Sequence, residues 1–213
     1  FTGAGRDGLE IASQINDLSL KIEPVARVLD VRPNDGGHYW VGGAPGTMRL
    51  KEREVRGRVI YEALAFDGWN RFVRDYSGPL RNFNGHYLMT EDGHDLYVHA
   101  QDFSRTMPRE SWVAGYASWD GAEAVTDIDF KITEYAPAQT TAGKFARFNW
   151  PSAWRIGFAY AGRRYTLELG TRERGLNWIW GTNGFEMAVV DGEVRNSGGG
   201  RTRKVTGWAE LLM

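Results

Sequence analysis

Hydrophobic and polar positions along this chain alternate mostly with period two, not 3.6. The clearest runs are Asp129-Phe130-Lys131-Ile132-Thr133-Glu134-Tyr135 and Tyr165-Thr166-Leu167-Glu168-Leu169. Such a run sends apolar side chains to one face and polar ones to the other, as in antiparallel sheets with one buried face. On this reading strands are predicted over 18–22, 25–31, 38–42, 47–54, 56–66, 83–89, 95–102, 111–117, 126–135, 144–148, 153–160, 163–170, 178–180, 185–190, 193–197 and 201–211. Their links carry turn chemistry: Asn34-Asp35-Gly36-Gly37, Glu91-Asp92-Gly93, Trp119-Asp120-Gly121, Ala161-Gly162 and Asp191-Gly192. These residues supply the positive φ that tight hairpins need, and sharp hairpins are expected over 158–165 and 185–194.

Helical signal is scarce. Ile11, Ile15 and Leu18 stand at i, i+4 and i+7 and admit a short helix over 10–20, although 18–22 alternates as a strand. The expected fold is therefore all-β, an antiparallel lipocalin- or calycin-like barrel or sandwich with at most one or two short helices. One β-rich unit over 1–213 is expected, with room for two lobes and a sub-boundary in the loop 136–143.

Composition narrows the function classes. Formal net charge is −1, which argues against bulk electrostatic binding of nucleic acid and against a polybasic membrane anchor. The chain has no cysteine, so disulfides, thiolate metal sites and cysteine nucleophiles are excluded. No transmembrane run and no leader are read in the sequence, and a cytoplasmic location is the expectation; the start at Phe1 without a Met is read as an N-terminus that is processed, trimmed or simply not the start of the natural protein. Aromatic residues make up 13% of the chain, a content that suits both pleated strands and the walls of apolar ligand sites.

The segment 69–81, Trp-Asn-Arg-Phe-Val-Arg-Asp-Tyr-Ser-Gly-Pro-Leu-Arg, concentrates aromatics, arginines and a single carboxylate beside a Gly-Pro turn. Arg74 can keep Asp75 ionised. With Tyr76 and His86 nearby in sequence, Asp75 could exchange protons with a carbon skeleton. Asp75, Tyr76 and His86 are the candidate catalytic residues. Trp69, Arg74, Arg81, Trp112, Trp119, Trp178 and Trp180 are the candidate ligand-binding residues. The plainer reading is an Arg74–Asp75 ion pair closing a strand end, with most tryptophans filling the core. His86, His94, His99 and Asp102 lack a recognised metal-ligand spacing, so no metal site is assigned. Asp120, Glu123, Asp127 and Asp129 read as a solvated turn and strand face rather than a glycosidase pair. Nucleophile elbows and phosphate-cradling glycine loops do not occur, and no cofactor is expected.

At Arg74-Asp75-Tyr76-Ser77-Gly78-Pro79-Leu80-Arg81 the chain resembles the double-lipocalin family of carotenoid hydratases (hydroxyneurosporene synthases) and related pericyclase-like proteins. That family carries a segment reading roughly Arg-Asp-His-Ser-Trp-Gly-x-Arg after a strand. Arg74, Asp75, Ser77, Gly78 and Arg81 match; Tyr76 replaces the His and the Trp is missing. The closing run from Arg203 to Glu210 is similar to the family's last strand. The resemblance spans about 56–213 of a family whose members are longer. It implies an apolar-ligand pocket, Asp75 as acid or electrostatic stabiliser, and Arg74 and Arg81 as positioning groups. The leading expectation is a cofactor-independent hydratase, isomerase or cyclase acting on an unsaturated hydrophobic or aromatic small molecule. The rivals are a non-catalytic lipocalin-like carrier and a Trp-rich carbohydrate-active sandwich.

Overall fold

The computed structural model describes residues 8–13, 15, 17–24, 28–31, 37–66, 83–102, 113–119, 128–136, 149–180 and 183–212. Every regular element among them is a strand: β1 (Leu9–Ser13), β2 (Leu18–Ile22), β3 (Val28–Val31), β4 (Gly37–Leu50), β5 (Arg53–Phe66), β6 (Phe83–Thr90), β7 (Asp95–Asp102), β8 (Val113–Trp119), β9 (Ile128–Tyr135), β10 (Pro151–Tyr160), β11 (Arg163–Trp180), β12 (Asn183–Asn196) and β13 (Arg203–Leu212). The all-β reading holds. The short helix admitted over 10–20 does not form, because β1 and β2 pair antiparallel from Leu9↔Ile22 to Ser13↔Leu18. Their ladder bonds and shared apolar face outweigh a local 3.6 period. The chain divides into two compact units, Phe1–Phe72 and Val73–Met213. Residues 136–143 fall between β9 and β10, which pair directly with each other.

The first unit is a five-stranded sheet built on the β4–β5 hairpin. Those two strands pair without interruption from Gly37↔Phe66 to Leu50↔Arg53. The free edge of β4 is shared, β3 taking Tyr39–Gly42 and β2 taking Gly46–Leu50, with β1 outside β2.

The second unit is an eight-stranded antiparallel sheet in the order β8-β7-β6-β13-β12-β11-β10-β9. Every sequence-adjacent pair within β6–β8 and β9–β13 is a direct neighbour, and β13 returns to pair with β6. The sheet curls. The Trp154 indole on β10 donates to the Asn84 side chain on β6 at 3.1 Å, although three strands separate β10 from β6 in the ladder order. The end strands β8 and β9 come within 8 Å of each other at their Cα positions, giving a barrel-like wall. Its inward positions form one apolar cluster including Leu88, Leu96, Trp154, Ile156, Leu167 and Val190. Burying side chains of this size stabilises by about 1.5–3 kcal/mol each.

Two sharp turns were expected, and one forms. Ala161 (φ 48°) and Gly162 (φ 72°) make the two-residue link of the β10–β11 hairpin, both in the left-handed region that a type I′ turn demands. Asp191-Gly192 does not turn; it lies inside the uninterrupted β12, pairing with Gly170 and Leu169. Gly192 is there for closeness. A Cβ at that position would stand 1.9 Å from the Glu168 carbonyl oxygen, and one at Gly207 would stand 2.0 Å from the Tyr87 carbonyl oxygen. Both obstacles are backbone, so neighbouring strands must part to admit a side chain. Gly170, with nothing within 4 Å of its would-be Cβ, is the control. Gly192→Ala and Gly207→Ala should each cost about 3 kcal/mol in urea denaturation, the upper part of the overpacking range, and Gly170→Ala less than about 1 kcal/mol. Equal losses at all three positions would refute the close-approach account.

Candidate functional site

The curl of the second unit collects polar groups where alternation alone would place apolar ones. Even-numbered positions of β6 face inward with Leu88, and so Asn84 and His86 do too. Even-numbered positions of β12 do the same, so Glu186 shares a face with Ala188 and Val190. Register ties the two strands together through β13: His86↔Ala209↔Ala188 and Asn84↔Leu211↔Glu186. Two ladder steps put Asn84 and Glu186 about 10 Å apart at the backbone. His86 and Glu186 are both fully buried. Arg174 donates to a Glu186 carboxylate oxygen and reaches the Pro151 carbonyl at 3.5 Å. A buried carboxylate needs such a guanidinium, because its desolvation would otherwise cost several kcal/mol.

His86 is set differently. Its ring meets Trp154 edge-on at 4.9 Å and Phe130 at 6.1 Å, and among the described residues neither ring nitrogen has a hydrogen-bond partner of ordinary geometry. Burial pushes its pKa down to about 3, opposed in part by the backbone of Val98, its register partner on β7. The imidazole is therefore neutral at pH 7, with one donor and one acceptor to offer.

A second cluster lies on the outward side of the same strands. All residues from Asn84 to Leu88 and from Asp95 to Ala100 are buried, so both faces of β6 and β7 are withdrawn from water. Tyr87 stacks on Trp208 at 5.4 Å, meets His99 edge-on at 5.2 Å and reaches Tyr97 at 6.4 Å. His99 is also pushed down to about 3, first by burial and then by the charge of His86.

Trp119 is held at the β6–β7 hairpin end of the unit. It packs on Tyr165 at 5.5 Å and His94 at 5.8 Å, with the Arg203 guanidinium 5.7 Å from its ring centre. The same Arg203 donates to Asp92 at 2.7 Å, and the Thr90 hydroxyl donates to it at 2.6 Å. Those two bonds, Thr90 first, hold the Asp92 carboxyl down to about 2.

Of the residues singled out from sequence, His86 and Trp119 are described in full. The backbones of Trp178 and Trp180 lie on β11 opposite Phe185 and Asn183, positions of β12 that alternate with its buried ones. Trp69, Arg74, Asp75, Tyr76, Arg81 and Trp112 lie outside the described residues. Asp129 is exposed on β9, as a solvated strand face requires. Sequence reasoning missed Asn84, Arg174 and Glu186. The signal for Glu186 was a carboxylate in register with Ala188 and Val190. Asn84 carried the same signal, two positions before His86 on the Leu88 face.

Kievitone hydratase from Nectria haematococca superposes with a TM-score of 0.61 over 97% of this chain, at 10% identity. The chain has the fold of that hydratase. It spans 64% of the hydratase chain's length. CghA is also similar, with a TM-score of 0.49 and 11% identity over 92% of this chain and 61% of its own. No family model and no curated protein matches the sequence. Among the described residues no helix is long and apolar enough to cross a membrane.

The buried histidines make stability depend on pH with a defined sign. Their folded pKa values, about 3, lie below the unfolded value of 6.5. Below pH 6.5 the unfolded chain takes up protons that the folded one refuses. Stability is thus full above that pH and falls as the solution is acidified toward pH 3. Between pH 7.5 and 5 each histidine should remove about 2 kcal/mol. Urea midpoints at the two pH values measure this, and His86→Phe should shrink the difference by at least its own share. An unchanged midpoint at pH 5 would contradict the burial of neutral imidazoles.

Proposed function

We propose that this chain encloses an apolar, unsaturated small molecule and carries out acid–base chemistry on it without a cofactor: hydration, isomerisation or cyclisation. The observation that carries the reading is the fold shared with kievitone hydratase, together with polar groups buried among aromatic rings on β6 and β10. A β wall with a few buried polar groups suits an oily ligand that needs orienting.

In this reading Asp75 is protonated when the apolar ligand excludes water and gives that proton to an unsaturated carbon of the ligand, with Tyr76 as its hydrogen-bonding partner and Arg74 and Arg81 as positioning groups. Aromatic faces then stabilise the positive charge that develops on the carbon skeleton. Trp69, Trp112, Trp119, Trp178 and Trp180 are the proposed sources of those faces. In a hydration, water adds to the cationic carbon and its surplus proton returns to the carboxylate. His86 assists as a neutral hydrogen-bonding group, because its lowered pKa leaves it without an imidazolium's acid proton at pH 7. General acid catalysis of this kind contributes about 100- to 10,000-fold.

The test begins with kievitone and a panel of unsaturated apolar compounds, with mass spectrometry reading the gain of one water or a change of retention at equal mass. Asp75→Asn should fold with an unchanged circular dichroism spectrum and lose at least about 100-fold in rate. Equal rates for both proteins would remove Asp75 from the chemistry. A retained ligand released by organic solvent, with no turnover of any panel member, would make the chain a carrier instead.

A further inference from the structure

Four strands of the first unit contribute one apolar row across the sheet, Ile11↔Leu20↔Met48↔Val55, and the next row places Leu18 opposite Leu50. Period two puts these residues on one face. Ile22 and Ala44, at one end of that face, are buried, whereas Ile11, Met48 and Leu50 are exposed. At the other end Val55 is 53% exposed and Ile15, in the β1–β2 turn, is 95% exposed.

The charges bordering this end are balanced and alternate in sign. From β2 through the β4–β5 turn to β5 they run Asp17, Lys51, Glu52 and Arg53, and all four are exposed. Register fixes that order, because Leu18 pairs with Leu50 and Leu50 with Arg53. The Lys51 amide donates to the Asp17 carbonyl at 2.9 Å, so the two turns are tied to each other. Charges on the opposite face are engaged locally: Arg56 pairs with Glu54 at 3.1 Å, and the Arg49 guanidinium donates to the Lys51 carbonyl at 3.2 Å. Among the described residues, none of the four side chains at the tip has an ion-pair partner.

A surface of one sign would repel half of these groups, but a second copy of the chain would not. The row reads minus, plus, minus, plus in one direction and the reverse in the other. Consider a two-fold axis lying between two such sheets and parallel to their strands. It keeps both tips at one end and reverses the strand order. Asp17 then faces the partner's Arg53 and Lys51 faces the partner's Glu52. Ile11 meets the partner's Val55, and Leu20 meets the partner's Met48. An isologous contact requires this self-complementarity, and apolar sheet faces pack about 10 Å apart. We propose that two copies of this chain pair through the open face of the first unit, with the apolar rows in contact and the tip charges matched along the rim. The contact engages fewer residues than the roughly 20–30 a side of a standard interface, so the dimer is weak and depends on concentration. The surface belongs to the first unit's sheet and does not depend on the chemistry proposed above.

The experiment is sedimentation velocity of the full chain across roughly a hundredfold range of concentration. The mean mass should climb from one chain toward two. Ile15→Asp/Val55→Asp should weaken association at least tenfold. Ile15→Asp alone, at an exposed turn position, should weaken it severalfold and leave the circular dichroism spectrum unchanged. Glu52→Lys sets like charges against Lys51 of the partner subunit and should also weaken association severalfold, more so at low salt. Lys51→Glu/Glu52→Lys restores opposite signs and should recover the dimer. The proposal is overturned if the unmodified chain stays a monomer at every concentration, or if a dimer forms that Ile15→Asp/Val55→Asp leaves intact. It is also overturned if the double charge exchange associates as poorly as Glu52→Lys. A monomer that cosediments with phosphatidylcholine vesicles through Ile15 would overturn it too, and would give the face to lipid.

Discussion

The Trp154–Asn84 hydrogen bond spans the interior of the second unit, and the curl it records is the constraint on which the rest of that unit depends. A flat sheet of eight strands would leave one face of β6 in water, and Asn84, His86 and Glu186 would be ordinary polar positions. Bending the sheet until β6 and β10 touch takes all three out of solvent. Each must then find a partner inside the protein or cost about 1–3 kcal/mol, more when charged. Asn84 accepts from the indole, and one carboxylate oxygen of Glu186 accepts from Arg174. His86 is satisfied by neither route and stays neutral instead.

The price of this arrangement is met by packing. Trp150, Trp154, Ile156, Leu167 and Leu211 are almost fully buried in or around the same cluster, and the glycines at 192 and 207 let the strands carrying them approach closely enough to curl. Close strands and large side chains are complementary here. Where the ladder runs tight, at Gly192 against Glu168 and Gly207 against Tyr87, the neighbouring inward positions are large: Leu169 and Leu88. Chemistry and stability are therefore coupled through the same strands. His86, proposed to hydrogen-bond a ligand, sits among the residues that hold the wall in shape, which is the usual cost of a polar group in a core.

Much of this was legible in the sequence, and the parts that were not have physical causes. Period-two runs at 129–135 and 165–169 mark β9 and β11, and Ala161-Gly162 marks a two-residue turn in which the glycine adopts a positive φ without a Cβ penalty. Asp191-Gly192 carries the same turn signal yet lies mid-strand, since glycine serves close backbone approach as readily as positive φ. The Ile11, Ile15, Leu18 spacing imitates a helix because β1 and β2 pair across a short turn, which brings apolar residues of adjacent strands into a helix-like interval. His86 was singled out from its sequence neighbourhood, and the structure shows that it is buried. Arg174 was not, because a bulge between Arg174 and Asn177 shifts the register of β11 and breaks the alternation from which its facing could have been read, whereas Glu186 alternates regularly with Ala188 and Val190 on β12 and was overlooked.

The claim at the centre of this account is that curling removes the His86 and His99 imidazoles from water strongly enough to keep them unprotonated. Long-range nitrogen–proton spectra of the protein labelled with 15N-histidine, recorded from pH 8 to pH 4.5, observe this directly. The account predicts that the ring nitrogens of both residues keep the widely separated shifts of a neutral tautomer throughout. Convergence of the two nitrogens of His86 near pH 6.5 would show a solvated imidazole and contradict it.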